Sequence, residues 1–226
     1  MMKLIISFGL VLLIISCQGT SNMETYKYLA LGDSYTIGES VPSKSSFPYQ
    51  VYERLQANGV NMEKPVIIAR TGWTTDELQT AIKAQVLEPP YDLVTLLIGV
   101  NNQYRGRDIG NYDIEFTELL QKAIELAGSQ YGNVIVISIP DWGVTPFAAK
   151  HDVETIAKEI NEFNRINYTR AREAGVHYVD VTEISRTAAA DSTLIAEDGL
   201  HPSAKMYALW TDKIVPQAKA LLTSKK

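Results

Sequence analysis

Three histidines in 226 residues make the search for a catalytic base short. His201 has a carboxylate three residues earlier, in Asp198-Gly199-Leu200-His201-Pro202. A turn at that spacing lets Asp198 accept a hydrogen bond from one ring nitrogen, leaving the other to face outward as a base. His177 falls inside an apolar run and reads as a structural or core residue. His151 stands beside Asp152 at the start of a helical stretch and reads as a surface or capping residue that a cleft-lining loop could bring near a ligand. A base needs a nucleophile, and Ser34 in Gly32-Asp33-Ser34 lies at a sharp transition from a β-type run to the segment that follows. Removal of its proton by His201 makes its hydroxyl competent for attack on an acyl carbon. The negative oxygen that then develops needs preorganised donors, each worth about 2.7 to 4 kcal/mol of activation free energy. The backbone N–H groups of Ser34 and Gly72 and the side-chain amide of Asn101 are the candidates for this oxyanion hole.

These residues need a scaffold that brings them together. Short, nearly continuous apolar runs at Tyr28 to Leu31, Val66 to Ala69, Leu93 to Ile98, Val134 to Ile139 and Val176 to Val179 read as parallel strands buried on both faces. Between them lie helical signals. Phe47, Val51 and Leu55 share one face before Asn58-Gly59, and Thr74 with Glu77 forms a capping box for a helix through Ala84. Further helices are expected at about Ile114 to Ala127, Val153 to Ala174 and Ser203 to Leu222, the last kinked or divided at Pro216. Five strands each followed by a helix imply a three-layer α/β/α sandwich. Open sheets of this kind bind ligands at the carboxyl ends of their strands, which is where Ser34, Gly72 and Asn101 fall. Tyr35, Trp73 and Asn102, next to those three, are candidate substrate contacts. Two loops are candidate cleft walls: residues 141 to 150 with Trp142, Pro146 and Phe147, and residues 102 to 112 with Tyr104, Arg105 and Arg107.

Gly-Asp-Ser alone, or Asp-x-x-His-Pro alone, is common, but the ordered set Ser34, Gly72, Asn101 and His201, each after its own strand, resembles the SGNH, or GDSL-type, hydrolase family. The resemblance runs from Tyr28 to about Leu222. It implies a flavodoxin-like five-stranded parallel sheet, a Ser-His-Asp triad of Ser34, His201 and Asp198, an oxyanion hole of Ser34, Gly72 and Asn101, no cofactor and no metal. Two positions depart from the family pattern: Tyr35 stands where Leu is common, and Asn102 where Asp is common. Both bear on cleft shape and loop hydrogen bonding. A G-x-S-x-G elbow is absent, which argues against an α/β-hydrolase fold.

The N-terminal segment reads differently from the rest. Lys3 precedes an apolar stretch from Leu4 to Ile15, too short to span a bilayer and of the right length for a signal-peptide core. Ile14-Ile15-Ser16-Cys17 resembles a bacterial lipobox, and Cys17 is the only cysteine, so no disulfide forms within one molecule. The expected organisation is a lipoprotein signal peptide over residues 1–16, a lipidated Cys17 and polar tether over 17–25, and a hydrolase domain over 26–226. The expected location is outside the cytoplasm, on a membrane, facing the periplasm or cell surface. The composition, 46% hydrophobic and 21% charged, is that of one globular domain. The net charge of -5 and scattered Lys and Arg argue against nucleic acid as a partner, and no obligate protein partner is inferred.

The sequence thus points to hydrolysis of small-molecule or carbohydrate esters, with a short-chain or O-acetyl esterase ahead of a lysophospholipase or thioesterase. A non-catalytic carbohydrate-binding lipoprotein is the reading from another class. A phosphate or nucleotide binder is disfavoured by Asp33, whose charge sits where an anion-binding loop would lie.

Overall fold

The computed structural model describes residues 25–223. The expected signal peptide, Cys17 and all of the tether but Thr25 lie outside these residues. Tyr26, already buried, forms a parallel bridge with Met62.

The centre of the domain is a parallel sheet of β1 (Tyr28–Asp33), β2 (Val66–Arg70), β3 (Leu93–Leu97), β4 (Val134–Ile137) and β5 (His177–Val179), ordered β2-β1-β3-β4-β5. The order turns back at β1, which has β2 on one side and β3 on the other. This places the topological switch point, and the expected ligand crevice, at the carboxyl ends of β1 and β3. The three inner strands are buried along their whole length, as their apolar sequences require. The two edge strands are not: Val66 is 41% exposed and His177 is exposed, so neither edge has two covered faces. His177 is therefore a surface residue of β5 rather than a core residue.

One helical layer is α2 (Phe47–Ala57) packed on α8 (Ala204–Thr223). The other is α3 (Thr75–Ala84), α5 (Ile109–Leu126) and α6 (Val153–Ala174) in series. In α2, Phe47, Val51 and Leu55 are buried and the helix stops at Asn58. In α3 the Thr74 N–H donates to Glu77 Oε2 at 2.9 Å, the reciprocal half of the capping box. The start of α5 comes five residues earlier than its apolar stripe suggests, because Asp108 caps it by accepting the Asn111 N–H at 2.8 Å. Pro216 does not divide α8. Proline removes the donor for the carbonyl four residues earlier, at exposed Asp212, while Ile214, Ala218 and Leu222 are buried on both sides of the proline. Three short helices complete the fold and matter for the site: α1 (Ser34–Ile37), α4 (Val100–Tyr104) and α7 (Thr182–Arg186). Among the described residues no helix is long and apolar enough to cross a membrane.

Candidate active site

Ser34 is the first residue of α1, where the chain leaves β1. The turn is tight because Gly32 has no side chain: a Cβ there would lie 2.4 Å from the Leu97 carbonyl oxygen and 2.1 Å from Thr36 Oγ1. Asp33 caps the turn, its Oδ1 accepting the Tyr35 N–H at 3.0 Å. Burial pushes the Asp33 carboxyl up to about 7, against the opposing effect of that hydrogen bond. Asp33 thus shapes the turn that carries Ser34. The Ser34 side chain reaches a cavity of about 150 Å³ whose wall also includes Tyr35, Gly72, Asn101 and His201.

Asp198 and His201 sit in a closed loop before α8. The Ala196 N–H donates to the His201 carbonyl at 2.7 Å and the Ser203 N–H to the Leu194 carbonyl at 2.8 Å, so the loop is pinned at its base. Within it, Asp198 Oδ1 accepts the N–H groups of Leu200 and His201, each at 3.0 Å, and Oδ2 lies 2.6 Å from His201 Nδ1. The helix that follows is capped by Ser203 Oγ, which accepts the Met206 N–H at 3.3 Å. Burial opposes charge on Asp198, but the bonds from His201, Ser40 and the two backbone N–H groups outweigh it and hold the carboxyl well below the ordinary range. With Nδ1 committed to Asp198, Nε2 is the nitrogen left for chemistry. The Tyr35 ring packs edge-on against the imidazole at 5.5 Å, and the Tyr207 hydroxyl fixes the Tyr35 carbonyl at 3.0 Å. Among the described residues no hydrogen bond joins Ser34 Oγ to His201; the two are brought to one cavity wall, and such contacts commonly tighten only with substrate bound.

The opposite side of the polar wall is the turn after β2. Gly72 has φ +84°, a conformation costly for any residue with a Cβ. Its carbonyl accepts Arg105 Nη2 at 2.5 Å, and the neighbouring Trp73 carbonyl accepts Asn101 Nδ2 at 2.9 Å. The turn is held at two points from the α4 region, Asn101 lying within α4 and Arg105 just after it. One amide hydrogen of Asn101 is used in this tie, and the residue lines the cavity. Arg105 and Arg107 are exposed and form ion pairs with Glu77 and Asp76, so this solvated loop also braces the Gly72 turn and α3.

Two of the candidate substrate contacts do not reach the cavity. Asn102 is buried, its Oδ1 accepting the Thr75 N–H at 3.1 Å and its Nδ2 donating to Thr75 Oγ1 at 2.6 Å, which ties α4 to α3. The Trp73 side chain packs against the core edge and contributes its carbonyl to Asn101. Tyr35 does line the cavity, as do Tyr104, Trp142 and Phe147, which form its aromatic wall. Trp142 is fixed by a chain of hydrogen bonds: its Nε1 donates to Gln103 Oε1 at 2.8 Å, and Gln103 Nε2 donates to Glu159 Oε2 at 2.7 Å. Phe147 is tied to the acid–base loop through its N–H to the Gly199 carbonyl at 3.0 Å. His151 is exposed behind this wall, its ring stacked on Phe147 at 5.9 Å. Sequence reasoning missed Ser40, whose hydroxyl donates to Asp198 Oδ2 at 2.7 Å from 158 residues away, and the anchoring role of Gln103; neither position carries a local signal. Among the described residues no cluster of His, Cys, Asp or Glu is placed to hold a metal ion.

Solved structures share this architecture. A lipase/acylhydrolase from Enterococcus faecalis superposes with a TM-score of 0.68 at 22% identity, covering 87% of this chain and 96% of that one. Axe2, an acetylxylan esterase from Geobacillus stearothermophilus, gives 0.66 at 17% identity over 87% and 95%. The psychrotrophic esterase EstA from Pseudoalteromonas sp., with monoethylphosphonate as inhibitor, gives 0.65 at 16% over 87% and 98%. No curated protein matches the chain by sequence. Residues 30–209 match the GDSL-like lipase/acylhydrolase family, a span that includes every residue of the polar wall. The chain belongs to that family of hydrolases.

Proposed function

We propose that the protein hydrolyses carboxylic esters through an acyl-Ser34 intermediate. Ser34 Oγ attacks the acyl carbon as its proton passes to His201 Nε2. The carbonyl electron pair moves onto oxygen, opposite the N–H groups of Ser34 and Gly72 and the Asn101 amide. Collapse expels the alcohol, which takes the proton from Nε2. Water then repeats the sequence, releasing the acid and free Ser34. Asp198 holds the imidazole in one tautomer and balances its charge. The observation that carries this reading is the meeting of Ser34, Gly72, Asn101 and His201 on one cavity wall, with Asp198 Oδ2 2.6 Å from His201 Nδ1.

The substrate we infer is a small acyl ester or an O-acetylated carbohydrate. A cavity of about 150 Å³ is below the roughly 300–1,000 Å³ of sites that enclose drug-sized ligands, which favours an acetyl group over a long chain. The acetylxylan esterase among the similar structures fits the same reading. We further propose that Cys17 carries lipid and tethers the domain outside the cytoplasm, on the strength of the lipobox-like sequence.

Rates on p-nitrophenyl esters of increasing chain length, alongside acetylated xylan oligomers, test the substrate. Activity should be highest on acetyl esters; activity rising steadily toward long chains would instead support a lysophospholipase or thioesterase. A Ser34→Ala protein that hydrolyses esters as well as wild type would reject Ser34 as the nucleophile, and a wild-type protein that hydrolyses none of these esters would leave carbohydrate binding without turnover as the better account.

A further inference from the structure

We propose that Ser40 is a positioning residue of the acid–base pair, acting through a hydrogen bond to the same Asp198 oxygen that receives His201. The inference rests on the triad reading above. Each carboxylate oxygen of Asp198 receives two donors: Oδ1 the N–H groups of Leu200 and His201, Oδ2 the ring of His201 and the hydroxyl of Ser40. A carboxylate offers about four acceptor sites, so Ser40 fills the last of them. The negative charge that Asp198 presents to His201 is thereby shared with a donor that is not part of its own loop.

Ser40 is placed for this by the nucleophile turn itself. The Ser34 carbonyl accepts the N–H groups of both Gly38 and Glu39, at 3.2 and 3.1 Å, so the chain returns on Ser34 immediately before Ser40. Ser40 then adopts φ +62°, a left-handed conformation that glycine would occupy at lower cost. That backbone directs its hydroxyl across to Asp198. Its neighbour Glu39 accepts a hydrogen bond from Thr71 Oγ1, beside Gly72. One short segment therefore links the nucleophile turn to the acid on one side and to the oxyanion turn on the other.

Other ionisable groups surround the pair: Tyr35 from α1, Tyr207 from α8, Asp33 at the end of β1, Glu39 after α1, and Asp141, which is paired with Arg186. None of them is itself replaced in the Ser40 variants, so a shift shared by two variants of different backbone strain reports the hydroxyl. Without that donor, more of the Asp198 charge acts on the imidazolium, and a higher pH is needed to free the base. Ser40 is exposed and the Asp198 side chain is 29% exposed, so water weakens the effect without abolishing it.

The test is the pH profile of kcat/KM for p-nitrophenyl acetate with Ser40→Ala and Ser40→Gly, both lacking the hydroxyl but differing in backbone strain. The acid limb should move up by about half a pH unit in both, a loss of about threefold at pH values below the limb. Ser40→Gly should melt no lower than Ser40→Ala. A Ser40→Gly protein with the wild-type limb overturns the proposal, because the backbone and not the hydroxyl would then be what matters. Ser34→Ala is measured in parallel: its activity at wild-type level would sink the triad reading, whereas an inactive Ser34→Ala beside a wild-type-like Ser40→Gly would sink the Ser40 inference alone.

Discussion

The polar wall of the cavity and its aromatic wall meet on α4, which carries both Asn101 and Tyr104, but they are held in different ways. Ser34 and Gly72 follow β1 and β2 directly, Asn101 lies in α4 just after β3, and His201 is held by a loop pinned at its base; each is fixed by hydrogen bonds that involve the backbone. Tyr104 and Phe147, at 51% and 43% exposure, stand on the end of a five-residue helix and on a 3-10 turn, with only Trp142 locked between them by Gln103. On the reading proposed above, the groups that meet developing charge are those tied down by hydrogen bonds. The groups that only shape the space around the acyl or alcohol part are held mainly by ring packing. Chemistry and selectivity should therefore separate when the two walls are altered.

The sharpest break is expected on the polar wall. His201→Ala should lower kcat/KM for an acetyl ester by about 10⁴-fold or more, and Asp198→Asn should leave somewhat more activity, since the base remains present in a less favourable tautomer. Steady-state rates with circular dichroism as a folding control check both. Asn101→Ala comes next: the loss should fall in kcat, by about 10²- to 10³-fold, with KM little changed, because the amide acts on the oxyanion and not on the ground state. Phe147→Ala should do the reverse, changing KM or the preference between acyl chains by about tenfold while kcat on the acetyl ester stays within about threefold. A large kcat loss in Phe147→Ala would erase the distinction between the walls.

The smallest change in rate is expected of Asp33→Asn, whose effect lies in stability. The Asp33 carboxyl is raised to about 7 in the fold from 3.8. The native state thus holds a proton that the unfolded chain releases from about pH 4 upward, and this group costs stability progressively between pH 4 and 7. Asn keeps an oxygen for the Tyr35 N–H and carries no charge. Relative to wild type, Asp33→Asn should gain stability as pH rises across that window, by an amount on the order of a few kcal/mol above pH 7. Thermal melts from pH 4 to 8 check the sign; a constant difference between the two proteins would show that Asp33 is not charged at a cost.

What was legible in the sequence follows the same division. The five strands and the polar wall could be read because each depends on a local pattern: apolar runs for β1 to β5, a glycine at a strand end for Gly72, a carboxylate three residues before His201. The edge positions of β2 and β5 are not legible, since strand order depends on tertiary packing, and that order is what exposes His177 on β5. Asn102 looked like a cleft residue by adjacency to Asn101, but successive residues of a helix point about 100° apart, and its amide turned to Thr75. Ser40 and Gln103 act on residues 158 and 39 positions away, a separation that no local pattern encodes. The early start of α5 is hidden because Gly110 and Asn111 interrupt its apolar pattern and the turn depends on the Asp108 cap.

The central claim is that Ser34 is the nucleophile that becomes acylated. Incubation with a fluorophosphonate, followed by peptide mapping by mass spectrometry, tests it directly. The account predicts one phosphonyl adduct, on the peptide carrying Ser34, formed in step with loss of esterase activity and absent in Ser34→Ala. Activity that survives complete labelling, or inactivation with the adduct on another residue such as Ser40, would contradict it.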